Sequence, residues 1–206
     1  MENNELLNYW KEIQNNNYFE SHPLGGNFTE GDPQVPKEYF EGKTVLDYGC
    51  GFGRFFPYFF KNGANYIFGV DVSETILTKA KIWLADKVDL DKISFLTENS
   101  LNTIPDGSID FIYSHTVFQH MTPQLAKNYF VEFERVLSSN ANIRIQYLIA
   151  DNWTEYIGLP EPNFYWTRKM VEDLYKNLKI KKTKELILEN NLPGAKWLTI
   201  WATKKG

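Results

Sequence analysis

The chain has 206 residues, 43% of them hydrophobic, and its 22 Lys plus Arg against 26 Asp plus Glu leave a net charge of −4. That length suits one domain with a substantial core, and the acidic balance is the wrong sign for gripping phosphate backbones, so no nucleic-acid partner is expected. With Cys50 as sole cysteine, three scattered histidines, no long apolar run and no leader-like start, we expect no disulfide, no metal, no membrane contact and a cytoplasmic location.

Residues 1–42 open on a polar, Asn-rich stretch read as a short helix. They pass into SHPLGGNFTEGDPQVP, where Gly and Pro interrupt regular structure, and we expect this loop to act as a lid. From Lys43 the texture changes: TVLDYG is a short apolar run stopped by glycines, and RFFPYFFKNG spaces its aromatics as a helix does. Pro57 falls in or near the first turn of that helix, where a missing N–H does no harm. YIFGVDVS, ISFLTE and SIDFIYSH read as strands two to four, with the helix ETILTKAKIWLADKVD, capped by Ser73, between the first two. TPQLAKNYFVEFERVLSS is an amphipathic helix, and NIRIQYLIA a fifth strand apolar enough for burial on both faces. DNWTEYIGLPEPNFYW is a Pro-interrupted, aromatic connection expected to cap a pocket before a helix begins near Thr167. KTKELILENN and AKWLTIWATKK, joined by LPG, read as a terminal antiparallel pair. Strands alternating with helices predict a doubly wound α/β sheet. Within one domain we distinguish 1–42 (helix and lid), 43–150 (core) and 151–206 (cap segment, helix and terminal strands).

VLDYGCGFGR places Gly49, Gly51 and Gly53 on the turn between the first strand and first helix, the place where parallel sheets receive nucleotide-like ligands. A dinucleotide site wants a glycine three positions after the second, and Arg54 stands there. The Gly-x-Gly-x-Gly spacing resembles motif I of the class I methyltransferases, and the resemblance runs over roughly residues 43–150. It implies a Rossmann-like, mostly parallel seven-stranded sheet with helices on both faces, and S-adenosylmethionine as cofactor, left as S-adenosylhomocysteine. Asp47 and the three glycines would then surround the cofactor's amino-acid end. Asp71, 18 residues beyond Gly53, ends the second strand, where a carboxylate accepts both ribose hydroxyls, with Val72 beside it. TENSLNTIPDGSIDFIYS resembles the family's third-to-fourth-strand segment, making Glu98, Asn99 and Ser100 candidates for the adenine. SHTVFQHM resembles the loop after strand four in members acting on small molecules, which adds Ser114 and His115. Bland alternatives stay open: Asp47 as a cap of the turn, Asp71 as an acid favoured by a helix start, and Cys50 as packing.

The implied reaction is direct, in-line methyl transfer to a small-molecule acceptor such as a sugar or other secondary metabolite. Two competitors are a regulatory or scaffold protein that binds the cofactor without turnover, and a nicotinamide dehydrogenase, which Arg54 disfavours. If the acceptor is a hydroxyl a histidine base helps; His115 is preferred by position, with His120 and His22 behind it, and His120 also reads as holding its loop. Acceptor contacts are expected from Tyr9, Trp10, the 21–36 loop, Tyr156, Tyr165, Trp166 and Arg168. Lys176, Lys179, Lys181, Lys182 and Lys184 read either as an attractor of phosphorylated acceptors or as charges blunting a sheet edge. A monomer or homodimer is expected.

Overall fold

The computed structural model describes residues 2–15, 31, 33–156, 161–188 and 194–205. Its contacts gather into two compact units, Met1–Pro105 and Asp106–Gly206. The first holds α1 (Asn3–Asn15), β1 (Thr44–Tyr48), α2 (Phe56–Lys61), β2 (Tyr66–Asp71), α3 (Glu74–Leu84) and β3 (Ile93–Thr97). Its strands lie in the order β3-β2-β1, all parallel, with Asp47 level with Gly69 and Asp71 level with Thr97. Apolar side chains such as Val45, Leu46, Ile67 and Val70 are wholly buried, as parallel strands covered on both faces require.

Pro57 does sit in the first turn of α2. Aromatic packing then fixes that helix: Phe59 stacks on Phe40 at 4.8 Å, and Phe56 meets Phe95 of β3 at 6.1 Å. Ser73 caps α3 by accepting the Ile76 N–H at 3.3 Å, satisfying a donor that has no partner inside the helix. The helix buries Ile76, Leu77, Ala80 and Leu84, then stops, five residues short of the sequence reading. The apolar stripe ends at Leu84, and the Lys87 and Val88 N–H groups fold back onto the Leu84 carbonyl as a closing turn.

The second unit holds β4 (Ile109–Ser114), α4 (Pro123–Val136), β5 (Leu137–Ile149), β6 (Thr154–Tyr156), β7 (Asn163–Tyr165), α5 (Arg168–Leu174), β8 (Leu178–Ile187) and β9 (Lys196–Lys204). Here the order is β4-β5-β9-β8; β4 and β5 are parallel, whereas β9 runs antiparallel to both β5 and β8. The seven-stranded sheet is therefore the mostly parallel, Rossmann-like α/β sheet that the sequence predicts, terminal antiparallel pair included.

Three further details differ from the sequence reading. Helix α4 gives way directly to β5 at Leu137, which already pairs with Ile109; a register shift beyond Ile109, and a φ of 62° at Asn140, carry the strand through Ser138–Ala141. Asn tolerates that left-handed geometry better than most residues. Strand β8 starts at Leu178, four residues early, because its first half is lysine-rich and exposed; an edge strand wet on both faces carries no alternation to read. The aromatic connection contains the small antiparallel pair β6–β7.

Candidate functional site

The turn after β1 is the best-built feature of the first unit. Gly49, Gly51 and Gly53 adopt φ values of 74°, 55° and 76°, a region other residues enter only under strain. At Gly53 a Cβ would also come within 2.9 Å of the Leu84 side chain. The Gly49 and Cys50 N–H groups both donate to the Val70 carbonyl, and that of Gly53 donates to Cys50 O. Asp71, 5% exposed, closes the arrangement. Its Oδ2 accepts the Gly51 N–H at 2.9 Å and its Oδ1 accepts the Ser73 N–H at 3.2 Å, so one carboxylate ties the turn to the start of α3. Asp71 thus holds backbone on both sides, the glycine turn and the residue that caps α3.

Asp47 is buried at the end of β1, and the Cys50 thiol between the glycines is buried too. Burial, with the negative charges of Asp71 and Asp47, pushes the Cys50 pKa well above its ordinary value; the thiol stays protonated and is no nucleophile. Val72 is half-buried beside Asp71. In the short 3-10 turn after β3, the Glu98 side chain is 4% exposed and its Oε1 lies 3.0 Å from Lys11 Nζ of α1. Its Oε2 is buried with no hydrogen-bond partner among the described residues. Asn99 is exposed and the half-buried Ser100 hydroxyl contacts that of Thr97. Tyr9 and Trp10 meet edge-on at 5.5 Å on α1. His22 and most of the 21–36 loop lie outside the described residues; from the loop's described part, the Gly31 N–H donates to Arg54 O and Val35 O accepts the Tyr58 hydroxyl.

In the second unit, Ser114 is fully buried at the end of β4 and His115 half-buried after it. Thr116 then takes a φ of 58°, an uncommon strain for a β-branched residue and a mark of functional loops. The His120 ring sits with Nδ1 2.8 Å from the Pro162 carbonyl, so it secures this loop to the segment before β7. Sequence reasoning passed over Gln119, which is buried with its Oε1 unpartnered among the described residues; a loop amide carries no pattern that would single it out. Tyr165 and Trp166 are core residues, and the Trp166 indole N–H donates to Phe118 O at 3.1 Å. Arg168 pairs with Glu172 and Glu185. It borders a cavity of about 310 Å³ with Ile149, Ala150, Asp151, Thr167 and Lys196. The side chain of Tyr156 lies outside the description. Lys179, Lys181, Lys182 and Lys184 stand exposed along β8, as edge-blunting charges do.

A glycine turn bound to a buried carboxylate at the end of β2, on this sheet, defines a Rossmann-like cofactor-binding domain of the methyltransferase type. Residues 46–145 match the family model for a methyltransferase domain. That match, with the fold, supports a class I S-adenosylmethionine-dependent methyltransferase. The chain is 28% identical over 146 residues to a protein arginine N-methyltransferase 1 of Dictyostelium discoideum, an alignment spanning 70% of this chain and 38% of that protein. Its fold resembles that of the 1,6-didemethyltoxoflavin-N1-methyltransferase of Burkholderia thailandensis, with a TM-score of 0.77, 14% identity, and coverage of 100% of this chain and 92% of that one. A methyltransferase from Mesorhizobium loti is similar too, with a TM-score of 0.64, 18% identity, and coverage of 82% and 94%. Among the described residues, no helix is long and apolar enough to cross a membrane and no cluster of metal ligands appears.

Proposed function

We propose that this chain binds S-adenosylmethionine on the first unit's glycine turn and transfers its methyl group to a small-molecule acceptor. The observation that carries the reading is the Asp71 carboxylate, buried yet placed beside three glycines in left-handed geometry. A ribose diol suits such a carboxylate, and the absent Cβ atoms let a ligand approach the backbone closely. The unpartnered Glu98 Oε2 fits the same cofactor, since an exocyclic adenine amine supplies the donor that a buried carboxylate oxygen needs. Asp47, Val72, Asn99, Ser100, Ser114 and His115 complete the assigned cofactor set.

The bound cofactor supplies a methyl group already activated by its sulfonium, so the chain's own task is to orient an acceptor in line and exclude water. Tyr9 and Trp10 offer aromatic faces that attract a cation. His115 is the candidate base for a hydroxyl acceptor, because the His120 ring is engaged with Pro162. Tyr165 and Trp166, spent on packing, are left out of the acceptor set, and Arg168 remains in it.

The likeness to arginine methyltransferases raises a protein acceptor as the rival reading. An arginine guanidinium is held by carboxylates in fork geometry, yet the segment from Ser114 to Thr122 contains no Asp or Glu. That favours an acceptor without a fixed cation. The test presents radiolabelled cofactor with a panel of small hydroxyl and amine compounds beside arginine-rich peptides. Label on a small molecule supports the proposal, label on peptide arginine overturns its acceptor half, and label on neither with cofactor bound supports the scaffold alternative.

A further inference from the structure

The amino-acid end of S-adenosylmethionine is a zwitterion, and the glycine turn is poorly provided to receive its negative half. The N–H groups of Gly49, Cys50, Gly51 and Gly53 are already committed to Val70 O, Asp71 Oδ2 and Cys50 O. Two buried carboxylates, Asp47 and Asp71, flank the same turn. A ligand carboxylate brought here meets repulsion unless a cation stands by. Between Asp47 and Asp71 the sequence holds two cations, Lys61 on the exposed end of α2 and Arg54 in the turn itself.

Arg54 has the properties required. Its guanidinium lies over the Phe55 ring at 5.0 Å. Its Nε packs so closely on the Gly31 backbone that a Cβ there would stand 2.9 Å away. That Nε is buried without a hydrogen-bond partner among the described residues. A packed, charged donor with no acceptor is costly in a fold and calls for an anion. We propose that Arg54 holds the carboxylate of the cofactor's amino-acid end, while Asp47 matches its ammonium by charge. This rests on the cofactor assignment above and gives Arg54 a role that its position as a mere replacement for glycine does not.

The experiment is a calorimetric cycle on the full chain. S-adenosylhomocysteine, its decarboxylated analogue and 5′-methylthioadenosine are each titrated into wild type, Arg54→Met and Arg54→Lys, with thermal melts as a check on folding. Loss of a charge-assisted hydrogen bond predicts S-adenosylhomocysteine binding about 10- to 100-fold weaker in Arg54→Met and a smaller loss in Arg54→Lys. The two ligands without a carboxylate should change by no more than about twofold, since an uncoupled pair adds independently. Equal weakening of all three ligands assigns Arg54 to turn packing and overturns the proposal, as does S-adenosylhomocysteine binding unchanged by either substitution. If Arg54→Met fails to fold, the Arg54→Lys series decides by the same criterion. Wild type that binds none of the three sinks the cofactor assignment itself, whereas wild type that binds all three without coupling sinks only Arg54.

Discussion

Replacing Asp71 by Asn separates two duties of one carboxylate. The substitution keeps size and burial but exchanges one acceptor oxygen for a donor NH2, so the Gly51 N–H at 2.9 Å or the Ser73 N–H at 3.2 Å loses its partner. A hydrogen bond to a charged group contributes about 1.5–3 kcal/mol, and a buried donor left unsatisfied costs a similar amount. For a chain of this size each kcal/mol shifts the melting temperature by about 2–4 °C, so Asp71→Asn should melt about 3–12 °C below wild type. Cofactor affinity should fall at least tenfold as well, because the ribose loses a charged acceptor while the turn loosens. Calorimetric melts and S-adenosylhomocysteine titrations of the same preparations read both effects. A variant that melts within 1 °C of wild type and binds the cofactor equally well would refute the reasoning on both counts.

Gly53→Ala should destabilise by about 2 kcal/mol or more, since the new methyl meets Leu84 at 2.9 Å in a left-handed backbone; denaturant titration checks it. His120→Asn places an amide N–H where Nδ1 now stands near Pro162 O, so turnover should stay within a few-fold of wild type in steady-state assays; a loss of a hundredfold or more would make His120 the base. Stability should fall on the alkaline side, because burial raises the pKa of Cys50, Tyr147 and Tyr175 in the fold. Their contribution is whole below the ordinary values and is lost as pH rises past them, when the unfolded chain ionises and the folded one does not. The slope is about 1.4 kcal/mol per pH unit per group, starting near pH 9 for the thiol. Cys50→Ala should remove the earliest part of that decline in melts run from pH 8 to 10.5, and native Cys50 should resist alkylation at pH 8.

Much of the core was readable because its physics is local. The runs around Leu46 and Val70 are apolar without alternation, and the glycines at 49, 51 and 53 leave few backbones besides the turn observed. Ser73 announced a helix start and caps one, accepting the Ile76 N–H, and Thr122, which opens the amphipathic stretch, caps α4 by accepting the Leu125 N–H. Long-range relations were not readable in this way. Nothing at Asp71 says that its carboxylate holds Gly51, nothing at Glu98 says that Lys11 of α1 reaches it, and the tie from His120 to Pro162 spans 42 positions. The aromatics at 165 and 166 have the composition of a pocket wall, but their neighbours on β5 and in the loop after β4 make them core. Edge strand β8, wet on both faces, carried no periodicity by which to place its start.

The most direct test of the account is a calorimetric titration of S-adenosylmethionine and S-adenosylhomocysteine into the wild-type chain, with NAD as control. The account predicts saturable one-to-one binding of both at micromolar concentration and no heat from NAD; binding of NAD, or of neither S-adenosyl compound, would contradict it.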